Sequence, residues 1–207
     1  MSLLAIDLAQ TTGWAALSTG AARPVWGRIS FKKAADHPRN PDGAVLTALR
    51  EWLEHMRQRY EPTWIAVERP YVPVPRPPRI SAAGKFVVPS QSRPMNADTV
   101  IRLAAMYGTV AEFSHRFQIG FRATETWTVE KHFLGSGKHK SAEKKRLTKQ
   151  MCELQGWKPV TLDEADALAL LSWMAASLGV RLSGAGPLFK PLQQPIREPP
   201  QRRVASV

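Results

Sequence analysis

The chain has almost no cysteine. Cys152 is the single one among 207 residues, which excludes a disulfide framework and any zinc site built on thiolates. No apolar run reaches the ~18 residues that a membrane-spanning helix requires. The first apolar stretch has no basic region before it and is interrupted by Asp7, so it does not read as a signal peptide. A cytoplasmic protein with no membrane partner is expected. Negative charge is also scarce. Asp and Glu total 17 against 29 Lys and Arg, a formal net charge of +12 and a pI near 10.3. That imbalance points to a polyanionic partner, nucleic acid above all. No histidine-based zinc motif and no Ser/His/Asp signature is visible.

What is present suffices for a core: 43% of the residues are hydrophobic. The length fits one medium domain, read as residues 1–182, followed by a basic, proline-rich tail at 183–207 that reads as disordered. Strands are expected near Leu3–Leu8, Trp14–Ser18 and Val25–Phe31, joined by short connections and therefore antiparallel. Thr11, Thr12 and Gly13 read as the first turn. Residues 32–43 read as a loop, with Asp42 capping a helix that runs to about Tyr60. Trp64–Glu68 is a fourth strand. Its strand–helix–strand connection makes it parallel to a strand of the hairpin. Further elements are a helix from Asn96 to about Phe113, a strand near 118–121, a short helix at 127–134, a helix at 141–155 and a buried helix at 165–178. The class is α/β: a five-stranded mixed sheet, three antiparallel strands then two parallel, flanked by helices.

Four acidic residues stand where acids are costly. Asp7 lies inside the first apolar strand, although alone it would also suit a cap on the following turn. Glu68 closes an equally apolar strand, at the end where α/β sheets open onto functional crevices. Asp163 and Asp166 sit three apart in the first turns of the buried helix, a place that capping and the helix dipole also favour. Pairing the first strand with the fourth brings Glu68 beside Asp7. Converging, the four would make an all-oxygen site suited to Mg²⁺ or Mn²⁺ rather than zinc. Two such ions can hold a phosphodiester, activate water and stabilise the leaving oxygen. Basic residues surround these acids. Residues 69–94 carry seven prolines and Arg69, Arg76, Arg79, Lys85 and Arg93, with no acid. A second cluster holds Lys138, Lys140, Lys144 and Lys145. One-sign runs beside a carboxylate site suit phosphate contacts to DNA or RNA.

Taken together, Asp7 in LLAIDLA, Glu68 in IAVERPY, NAD at 96–98, SAEK at 141–144 and LDEADALALL at 162–171 resemble the RuvC family of Holliday-junction resolvases, in the family's order. The resemblance covers residues 1 to about 178. It implies a ribonuclease H-like fold and a homodimer that uses Mg²⁺, two ions per site, to nick opposed strands of a four-way junction. It makes Asp7, Glu68, Asp163 and Asp166 the metal ligands. It implies that Lys144 supports catalysis, with Lys131 for the family's other catalytic lysine, and that Tyr71 stacks at the junction centre. The helix at 96–113, with Ala104, Ala105 and Gly108 permitting close approach, is the expected dimer interface. The segment between Tyr71 and Asn96 exceeds that of typical cellular members and resembles phage and prophage versions. Three alternatives stand beside this reading: an ATPase of the actin and sugar-kinase type, a non-catalytic branched-DNA-binding protein, and a broader flap or fork nuclease.

Overall fold

A hairpin organises the chain. In the structure, a computed structural model, strand β1 (Leu3–Asp7) pairs antiparallel with β2 (Thr11–Leu17), and β2 with β3 (Val25–Ser30). The residues described are 1–70, 96–137 and 140–182, together with the backbone of two short strands at 79–80 and 86–87. A single helical turn, α1 (Lys32–Ala35), follows where a loop was expected, and then α2 (Pro41–Tyr60). The cap of α2 is Asn40 rather than Asp42: its Oδ1 accepts the Gly43 N–H at 2.9 Å, with Pro41 at the first helical position. Asp42 instead accepts from Arg102 at 2.6 Å, bridging to a later helix.

Strand β4 (Trp64–Glu68) lies parallel to β1, with Ile6 opposite Val67. Two two-residue strands, β5 (Arg79–Ile80) and β6 (Phe86–Val87), pair with each other apart from the main sheet. Helix α3 (Ala97–Arg116) is capped by Asn96 and leads to β7 (Gly120–Thr124), parallel to β4. Helices α4 (Thr126–Leu134), α5 (Ser141–Leu154) and α6 (Leu162–Ser177) complete the described chain. The sheet order β3-β2-β1-β4-β7 is the expected one, three antiparallel strands followed by two parallel.

Side-chain alternation along the strands divides the interior in two. Leu3, Ala5, Ala15, Leu17 and Ala66 face α4, α5 and α6. Leu4, Ile6, Ala16, Ile65 and Val67 face α2 and α3. The α6 side is closed by a buried helix. Ala165, Ala167, Leu168, Ala169, Leu170 and Leu171 are all buried, which explains a helix apolar almost all round. Its close seating depends on Gly13. A Cβ there would lie 1.9 Å from the Asp163 carbonyl oxygen, so only glycine lets the first turn of α6 rest on the hairpin. Thr11–Gly13 are accordingly strand, not turn: Gly13 pairs with Asp7, and the Thr12 hydroxyl donates to the Ala9 carbonyl at 2.6 Å within the real turn. Among the described residues no helix is long and apolar enough to cross a membrane.

Candidate active site

Three elements end at one place. Asp7 and Glu68 each follow a register pair, Ile6 and Val67, so they leave neighbouring strand ends side by side. Neighbouring strands lie ~4.8 Å apart. By alternation both turn to the face occupied by α6. Helix α6 arrives with its amino-terminal turn against the hairpin, bringing Asp163 and Asp166. Capping could have absorbed these acids, but other residues do that work. The Thr161 side chain accepts the Glu164 N–H at 3.3 Å, and the Glu164 carboxylate accepts from the N–H groups of Val160 at 2.7 Å and Thr161 at 3.1 Å. Glu164 is thereby buried in the cap, while Asp163 and Asp166 stay half-buried at the strand ends.

The electrostatics show that these carboxylates sense one another. Asp7 is held well above the usual carboxylate range, first by burial and then by the charges of Asp166, Glu68 and Asp163. Burial pushes Asp166 up to about 6 against the pull of Lys144, with Glu68 and Asp163 adding repulsion and Lys145 opposing it. Glu68 is raised by burial, partly offset by a hydrogen bond from the Thr126 hydroxyl at 2.6 Å and by Lys144. Glu68, Asp166 and Lys144 line one cleft with Glu130, Val129, Phe133 and Thr148. The Lys144 ammonium pairs with Glu130 at 2.7 Å. Burial alone would lower the lysine's pKa, but the Glu130 hydrogen bond, with Asp166 and Glu68, leaves it above its ordinary value.

The donor set is all oxygen and carries more negative charge than one lysine balances, which suits a hard divalent cation. Among the described residues no hydrogen bond or ion pair reaches the carboxylates of Asp7 or Asp166. The set is not a closed cage: among the described residues no three His, Cys, Asp or Glu side chains converge closely enough to hold an ion as they stand. The carboxylates are gathered and destabilised by their neighbours, and a dication would relieve that repulsion.

The other expected residues divide. Lys144 is in the cleft. Lys131 is not: it is exposed and lines a separate groove with Trp127, Gly135, Ser136 and Gly137. Val129 and Phe133 take the core face of α4, so the helix turns Glu130 to the cleft and Lys131 away from it. Glu130 and Thr126, the two contacts that fasten Lys144 and Glu68, were not singled out in the sequence. The i, i+4 apolar pair at 129 and 133 was the signal that could have set the phase. Arg69 is exposed and paired with Glu125 at 3.6 Å, and Lys140 and Lys145 are exposed around the start of α5. Tyr71, Arg76, Lys85, Arg93 and Lys138, the side chain of Arg79 and the tail at 183–207 lie outside the described residues.

No protein-family model matches this chain, and no curated protein matches it by sequence. Solved structures do. The Thermus thermophilus RuvC structure is similar over 87% of this chain and 98% of its own, at a TM-score of 0.58 and 15% identity. T. thermophilus RuvC in complex with Holliday junction substrate matches over 86% and 96%, at 0.58 and 16%. The yeast mitochondrial Holliday junction resolvase Ydc2 matches over 83% and 76%, at 0.56 and 11%. The fold is therefore the ribonuclease H-like fold of RuvC, as the ordered motifs led one to expect.

Proposed function

We propose that this chain is a metal-dependent, structure-specific endonuclease that nicks branched DNA, with the four-way junction as its substrate class. The observation that carries the reading is the gathering of Asp7, Glu68, Asp163 and Asp166 from three separate elements at one end of a RuvC-like sheet, with Lys144 among them. Burying that many like charges costs stability and serves no structural need that neutral residues would not meet.

Mg²⁺ held by these four acids would supply an activated water and neutralise charge on the scissile phosphate. The remaining steps belong to the protein. Thr126 fixes the rotamer of Glu68 through its 2.6 Å hydrogen bond. Glu130 holds the Lys144 ammonium over the cleft, protonated, where it can donate to a non-bridging phosphate oxygen as charge builds there. Arg69, Lys140 and Lys145 present exposed cations around the cleft that position phosphates without reading sequence. A four-way junction has near two-fold symmetry, so an isologous dimer would place two equal sites on opposed strands. Helix α3 offers a surface for it: Ile101 is 62% exposed, with Ala104 and Gly108 beside it open to solvent.

The test is cleavage mapping on a labelled four-way junction, a flap, a fork and linear duplex with and without Mg²⁺. Paired, symmetrically placed nicks in the junction are expected, lost with Asp7→Asn, Glu68→Gln or Asp166→Asn while binding persists. Equal cutting of flaps and forks would move the assignment to a general debranching nuclease. Binding without any metal-dependent cleavage would refute catalysis.

A further inference from the structure

Helix α4 presents two rows of residues beside each other. Thr126 and Glu130 form the row facing the carboxylate cleft. One step round the helix, Trp127 and Lys131 form a second row that lines an open groove, walled on the far side by Gly135, Ser136 and Gly137. The core residues Val129 and Phe133 hold the helix in this phase, so the second row cannot turn inward. Trp127 is 59% exposed, whereas Trp52 and Trp157 are buried and Trp14, Trp26, Trp64 and Trp173 are half-buried. Its base is nevertheless braced: a Cβ on Gly137 would lie 3.1 Å from the Trp127 carbonyl oxygen and 3.6 Å from the Trp127 Cβ, so the glycine turn packs directly against this residue. Gly135, at φ +75°, is what bends the chain back to make that wall.

We infer that this groove is a nucleotide-binding site, in which an unpaired base of the DNA strand leaving the cleft stacks on the Trp127 indole while Lys131 contacts the adjacent phosphate. A flat exposed ring with a cation one helical turn away is the pairing that single-stranded nucleic acid uses, and it fits a chain of net charge +12. The two rows of α4 lie about 100° apart round the helix, so their outer ends are separated by roughly 8–9 Å, a distance that two to three nucleotides span at a ~3.4 Å rise per strand. Lys131 thus acts on substrate binding and not at the scissile phosphate. The inference rests on the nuclease reading for the strand's origin, but it is tested without cleavage.

The full chain is titrated in EDTA with a single-stranded oligo(dT), a four-way junction and a linear duplex, following tryptophan fluorescence and affinity. Quenching by oligo(dT) and the junction is expected in the wild type and absent in W127F, which should keep most of the affinity because a stacking face remains. W127A should bind oligo(dT) and the junction about tenfold more weakly, one base–aromatic stack being worth roughly that factor, with little change on duplex. K131Q should lower the slope of log affinity against log salt by about one. Unchanged affinity in W127A, or quenching that survives in W127F, overturns the inference. If W127A does not fold, the W127F difference decides. Quenching at Trp127 in a chain that never cleaves would keep the groove and refute the nuclease, and normal junction cleavage with an indifferent Trp127 would do the reverse.

Discussion

Removing a charge from the cleft should stabilise the metal-free protein while abolishing its activity. Asp166 is the position to change. Its carboxyl is raised from 3.8 to about 6, chiefly by burial and with repulsion from Glu68 and Asp163. A group whose folded pKa exceeds its unfolded value gives full stability below the unfolded pKa and loses it as pH rises through the folded one. At neutral pH Asp166 is ionised against its environment, at a cost of ~1.4 kcal/mol per unit, or on the order of 3 kcal/mol before allowing for its partial exposure and the pull of Lys144. Asp166→Asn keeps the volume and removes the charge. It does not strand Lys144, which remains paired with Glu130 at 2.7 Å. A net gain of about 1–3 kcal/mol corresponds to a rise of roughly 2–10 °C in Tm for a chain of this size. The assay is thermal unfolding in EDTA at pH 7.5 and pH 5. The variant should melt higher at pH 7.5, and the gap should shrink to about half at pH 5, midway through the window from 3.8 to about 6 over which the penalty builds up. Adding Mg²⁺ should raise the wild-type Tm more than the variant's. A variant that melts at or below the wild type at pH 7.5, or a gap that does not narrow between pH 7.5 and pH 5, would refute the reasoning that these acids are held together against their mutual repulsion.

Gly13→Ala should cost roughly 1–3 kcal/mol or more, because its methyl would lie 1.9 Å from backbone at Asp163; denaturant unfolding measures this, and cleavage should fall with it as α6 lifts from the hairpin. Glu130→Gln removes the hydrogen-bonded charge that holds up the Lys144 pKa, so the alkaline limb of the pH–rate profile should move to lower pH while junction affinity is little changed. Thr126→Val frees Glu68 of its 2.6 Å hydrogen bond and should raise that carboxyl further, shifting the acid limb of the same profile upward. Junction affinity should fall steeply between 50 and 200 mM salt, and a flat response would remove phosphate contacts as the main source of binding.

Much of this architecture is legible in the chain because local signals agree with it. Short connections make the first three strands antiparallel, the strand–helix–strand stretch makes β4 parallel to β1, and a helix apolar on every side has to be buried. Asp7 and Glu68 announce themselves as charges in apolar strands, and their meeting follows from one register, Ile6 opposite Val67. What was misread depends on contacts distant in sequence. Thr11-Thr12-Gly13 has turn composition, yet its glycine serves an approach by Asp163, a residue 150 positions later that no local pattern could name. Lys131 is the expected second catalytic lysine if the stretch from Trp127 faces the cleft, but on a helix the buried neighbours decide which side does. Val129 and Phe133 were in view and fix the phase that turns Glu130 inward. The consequence is chemical. The cleft has an acid where a second lysine was sought, so Lys144 is the one cation among its lining residues, and its charge depends on Glu130. A site balanced this way leaves the four acids with little internal compensation, so on the proposed reading their ionisation and the binding of a divalent cation would be one linked equilibrium rather than two separate properties.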